Sequence, residues 1–129
     1  MDNVIINGME FEALAAVTIE EQAKGLMYRE WPPPVMFFPY KSAGVRKFWM
    51  KNTVSPLDIV FCREGRIISI VAGEPMSTMM VGPNEPSDLV VEFPKGTAEK
   101  HGFSVGDIVQ LKYSTDTAAK YLLTEHYDL

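Results

Sequence analysis

The stretch LDIVFCREGRIISIVAG, residues 57–73, constrains the fold more than any other part of the chain. Two apolar runs rich in Ile and Val flank Glu64-Gly65, a tight turn between paired strands. Just upstream, KFWMKNT predicts another strand, Lys47 to Thr53, ended by the Ser55-Pro56 turn. Residues 47–72 thus read as a three-stranded meander. Asn7-Gly8 signals a second hairpin between Val4–Ile6 and a returning strand over Met9–Val17. VMFF (35–38), DLVVEFP and DIVQLKY supply further short strands.

Helix signals are few. Thr18 and Glu21 form a capping box, and Ile19, Ala23, Leu26 and Met27 fall on one helical face. That helix must stop near Glu30, because Pro32-Pro33-Pro34 removes donors and forces an extended path. A second short helix starts at Thr97 and ends at Gly102. The tail after Ser114 has helical composition, with Ala118, Tyr121, Leu122 and Glu125 roughly in phase. No repeat or linker divides the 129 residues, so one domain is expected, with a helical extension over 114–129. The strands do not alternate with long helices. A mainly β fold follows, a compact antiparallel β-sandwich or barrel with one or two short helices.

Composition narrows the function. A net charge of −5 and a pI near 5.0 argue against nucleic acid or anionic membrane as partner, since phosphate binding needs clustered Lys and Arg. Cys62 is the single cysteine, so no intrachain disulfide forms. His101 and His126 are far apart and offer no spaced set of zinc ligands; neither metal nor cofactor is expected. The N-terminus lacks a basic region followed by an apolar one, which points to a soluble intracellular, cytoplasmic domain.

Several blocks taken together carry a family likeness: EEQAKGLMYRE, VMFFPY, RKFWMKNTVSPLDIVF, GRIISI and VVEFPKGTAEKHGFSVGDIVQL. Over about Thr18 to Leu111 the chain resembles the family called domain of unknown function 192. The resemblance implies a mainly β, jelly-roll-like domain and no settled activity. Many members resemble exported proteins and carry a cysteine and a tyrosine after the VVSI-type strand. Here that segment is AGEPMSTMMVGPNEPS, with neither.

The polar residues of the family-like region are the candidate site. Alternation puts Phe48, Met50 and Asn52 on one face and Trp49, Lys51 and Thr53 on the other. Asp58 is expected across the hairpin from Lys51, and Glu92 is a charge in the middle of a buried strand. Arg29, Lys51, Asp58 and Glu92 then read foremost as a charge network pinning helix to sheet. Alternatively they border a pocket for a small anionic ligand, with Trp49 as its wall, Arg29 and Lys51 as anion donors and Asn52 as a hydrogen-bonding amide. Asp58 and Glu92 as an acid/base pair of a small hydrolase or carbohydrate-processing enzyme is the catalytic alternative. Cys62 reads as a buried structural thiol, and Met76, Met79 and Met80 as core filler or, if exposed, a patch for a protein partner. A non-catalytic binding or accessory domain is the leading expectation, ahead of the enzyme and of a structural or partner-binding module.

Overall fold

A computed structural model describes residues 1–124. His126 and the predicted end of the tail helix lie outside them. The chain runs β1 (Asn3–Ile6), β2 (Met9–Ala15), α1 (Ile19–Lys24), β3 (Val35–Val45), β4 (Leu57–Arg63), β5 (Arg66–Gly73), β6 (Pro86–Pro94), α2 (Thr97–His101), β7 (Val109–Lys112) and α3 (Thr115–Leu123). The protein is mainly β. Its seven strands form one curled sheet, a half-barrel, in the order β5-β4-β6-β3-β2-β1-β7. The two edges meet at one end, where Ile67 N–H donates to the Asp107 carbonyl at 2.9 Å and Val109 N–H donates to the Gly65 carbonyl.

Local chemistry explains the elements. Asn7 and Gly8 both take positive φ, as a two-residue hairpin turn requires, and Glu64-Gly65 does the same between β4 and β5. Thr18 and Glu21 cap α1 reciprocally. The expected helix up to Glu30 stops instead at Gly25, whose φ of 50° and ψ of −130° only glycine adopts freely. Ile19 and Ala23 are consequently exposed and only Leu26 is buried, so the expected apolar face does not form.

Three further expectations change. All pairs are antiparallel except β2–β3, which is parallel. A parallel return needs a long connection, and residues 16–34 with α1 and the triple proline provide it. The strand expected at 47–53 does not join the sheet. It pairs only through Phe48 with Val81, and Asn52 turns away with φ of 55°. β3 instead runs on through the expected loop to Val45, with a bulge between Pro39 and Gly44.

Both faces of the sheet are covered. The concave side holds Val4, Ile6, Phe37, Val60, Val91 and Phe93, plugged at one end by Ala98 of α2 and by Phe103. The convex side carries Phe38, Leu57, Ile59, Phe61 and Val90. Over it lie α1 and two loops, 46–53 and 74–82, joined by reciprocal Phe48–Val81 backbone bonds of 2.8 Å and by Met50 N–H to Ser77. Full burial of each large apolar side chain contributes about 1.5–3 kcal/mol, so the central strands β4 and β6 dominate the core.

Candidate functional site

From Leu89 to Pro94, β6 is apolar except at one position. Its residues alternate between the two clusters, and Glu92 takes the convex place beside Val90. Register sets it between Met36 of β3 and Ile59 of β4. Only 4 % of its surface is exposed. Among the described residues, no hydrogen bond or ion pair reaches its carboxyl group. Burial pushes the Glu92 pKa up to about 8, so the group is mostly protonated at neutral pH.

Glu92 lies at a pocket of about 460 Å³ walled by Phe38, Tyr40, Phe48 and Trp49. Gly25 closes the pocket from α1, where a Cβ would come within 3.8 Å of Glu92 Oε1 and 3.5 Å of Phe38. Trp49 is 42 % exposed and forms an accessible wall. Of the six predicted site residues, then, the structure brings Trp49 and Glu92 together.

The other four are elsewhere. Asp58 accepts hydrogen bonds of 3.0 Å from the backbone N–H groups of Gly96 and Ala98, and so caps α2, where no side chain of the helix's own end does so. Lys51 stands exposed over the Trp49 ring at 5.2 Å, and no ion pair joins it to Asp58. The cross-strand pair fails because residues 51–53 turn rather than pair. Asn52 contributes its backbone: its carbonyl accepts from Tyr28 N–H, and its positive φ, which Asn tolerates, makes the turn. Arg29 lines a different groove with Glu21 and Lys120. A network of Arg29, Lys51, Asp58 and Glu92 is therefore absent.

Asp58→Ala is expected to cost about 1–2 kcal/mol through loss of the α2 cap. Lys51→Glu should be near neutral, and the double exchange Lys51→Glu with Asp58→Lys no more stable than Asp58→Lys alone. Urea midpoints of the four proteins decide it; a rescued double variant contradicts the capping role.

Cys62 is fully buried, and burial pushes its thiol up to about 12, as befits a structural residue. Met76, Met79 and Met80 are exposed, not core, and Met80 lines the pocket. The reading from sequence also missed Phe38, Tyr40 and Gly25. The signal for Gly25 was present in the GLM motif, where a glycine ends a helix beside a carboxylate-bearing strand.

A family model, DUF192 ("Uncharacterized ACR"), matches residues 3–111. The chain belongs to the DUF192 family. The match takes in the β1–β2 hairpin and stops before α3. Two solved structures share the fold. One is a protein of unknown function from Novosphingobium aromaticivorans, 33 % identical, with TM-score 0.76, covering 84 % of this chain and 83 % of that one. The other, from Sinorhizobium meliloti, is described as a "putative transcription regulator"; it is 30 % identical, with TM-score 0.76, covering 84 % of this chain and 90 % of that one. No curated protein matches. The DUF192 chain has no helix among its described residues long and apolar enough to cross a membrane, and those residues hold no cluster of metal-ligating side chains.

Proposed function

We propose that this DUF192 protein is a non-catalytic binding domain whose pocket beside the FWMKNT segment takes a small ligand. The observation that carries this reading is Glu92, a nearly fully buried residue whose carboxyl has no partner among the described residues and lies at an aromatic-walled pocket. Polar groups so buried are nearly always satisfied by hydrogen bonds, so an unmatched one in a cavity is a place for a ligand group. Aromatic walls supply contact area and the carboxyl supplies orientation.

The catalytic alternative loses its support from geometry. Asp58 faces Phe93 across the β4–β6 ladder and Glu92 faces Ile59, so the two carboxylates project to opposite sides of the sheet. The donors expected for an anionic ligand, Arg29 and Lys51, do not line the pocket. A partner-binding role keeps one specific observation: Met76, Met79 and Met80 are exposed on loop 74–82, and Met80 lines the pocket with Trp49. The description of the Sinorhizobium relative as a regulator suits a ligand-responsive or partner-binding domain better than a DNA-binding one, given the −5 charge of this chain.

A fragment library screened by amide and indole NMR tests the pocket. Ligands are expected to shift Trp49, Phe48 and Gly25 together, and Trp49→Ala to weaken them about tenfold. Trp49 is half exposed, so that variant should still fold. Fragments that leave these three residues unmoved overturn the reading.

A further inference from the structure

We infer that the ligand of this pocket is a small organic ammonium ion, held by aromatic faces and by Glu92 as its counter-ion. The inference rests on the pocket being a binding site. What adds the ligand class is a buried carboxyl set among aromatic ring faces.

Three of the side-chain donors that line the pocket are already used. Gln22 Nε2 donates to the carbonyls of Ala16 and Pro39. Thr53 Oγ1 donates to the Lys51 carbonyl. Lys47 Nζ donates to Gly82 O at 2.6 Å and Asn84 Oδ1 at 3.0 Å. The Glu92 carboxyl, the thioethers of Met27 and Met80 and the rings of Phe38, Phe48 and Trp49 make up most of the remainder, beside the exposed Lys24 ammonium, the Tyr40 hydroxyl and the Trp49 indole N–H. Two aromatic residues of the pocket already attract cations from the protein itself. Arg46 lies 3.8 Å from the centre of the Tyr40 ring, and Lys51 lies 5.2 Å from that of Trp49. An ammonium group satisfies such a set, because ring faces and a carboxylate both favour positive charge, most strongly where water is excluded.

The charged and titratable groups around Glu92 are few. Lys24 comes from α1, exposed at the rim; Tyr40 comes from β3, its phenol held well above its ordinary value by burial; Lys47 comes from the loop and is directed to Gly82 and Asn84. No ion pair joins Glu92 to any of them. Because the empty pocket holds Glu92 protonated with a pKa near 8, a bound cation must drive out that proton. Affinity therefore rises with pH about tenfold per unit below pH 8, and then levels.

The probes are two cation–neutral pairs of matched shape: choline against 3,3-dimethyl-1-butanol, and benzylamine against benzyl alcohol. Binding is read by titrating the Trp49 indole signal at pH 6, 7 and 8. Each cation is expected to bind at least tenfold more tightly than its neutral partner at pH 8, and about fiftyfold more tightly at pH 8 than at pH 6. Glu92→Gln should remove both the preference and the pH dependence, while its own indole signal at the native position reports that the pocket is intact. Neutral probes that bind as well as the cations, or a preference that survives Glu92→Gln, overturn the ligand class and leave the pocket a binding site. If neither pair moves Trp49, the ligand class and the binding reading fall together.

Discussion

Glu92→Gln is expected to stabilise the protein, and to do so far more at pH 8 than at pH 5. The unfolded chain ionises this residue near its ordinary value of 4.5, whereas the folded state holds the proton up to about pH 8. The folded pKa is raised for an acid, so the folded state binds more protons than the unfolded one between those values. Stability consequently falls as pH rises from about 4.5 to about 8, and is flat on either side as far as this group is concerned. The full penalty reaches up to about 5 kcal/mol if nothing in the fold relaxes, and water entering the pocket reduces it. Glutamine has no proton to lose, so its slope across the window should largely vanish. Urea denaturation at half-unit steps from pH 4.5 to 8.5 measures both proteins. Parallel curves for the two would show that Glu92 is not the buried titrating group described above.

Gly82→Ala is expected to destabilise by about 3 kcal/mol or more, from two causes acting together. Gly82 has a φ of 147°, and a Cβ there would lie 2.5 Å from the Arg46 carbonyl and 3.0 Å from the Phe61 ring. A backbone carbonyl and a core phenylalanine cannot both give way. The loop would lift, and with it the Phe48–Val81 bonds that hold one pocket wall. The expected result is a lower urea midpoint together with loss of ligand-induced shifts at Trp49. A variant as stable as wild type would mean that the two loops do not pack as tightly as described.

The parts of this fold legible in the sequence are those set by local chemistry. Asn7-Gly8 and Glu64-Gly65 dictate their turns through backbone conformation alone, and Thr18 with Glu21 dictates the start of α1. Pairing between distant segments was not legible. A strand and an extended loop share the same alternation, so KFWMKNT reads as a sheet member although only Phe48 bridges to another segment. The inward turn of Phe48 and Met50 and the outward turn of Trp49 and Lys51 survive that error, because alternation needs extended backbone and not a neighbour. The parallel β2–β3 pair was likewise hidden, since no local signal distinguishes a parallel strand.

The candidate site divides along the same line. Glu92 stood out because a charge inside LVVEFP contradicts its surroundings, and Trp49 because of its size. Asp58 also stood out, but its partners are backbone N–H groups some 40 residues along the chain, which no side-chain pattern reveals. Asn52 looked like a hydrogen-bonding amide of the pocket; its use is the left-handed turn that asparagine tolerates better than most residues.

The pairing of β1 with β7 bears on how the protein is made. Val4 stands opposite Leu111, and Asp2 bonds the start of α3 at Ser114 and Thr117. On the ribosome, the first strand emerges before its outer neighbour has been synthesised. The β1–β2 hairpin can form early, but one of its edges stays open until nearly all of the sheet has left the exit tunnel. Closure is thus a late event with a large loop to bring together, which slows folding relative to a sheet of local hairpins. Until β7 is made, the Asn3–Ile6 strand keeps an unpaired edge, the kind of template on which a foreign strand can add.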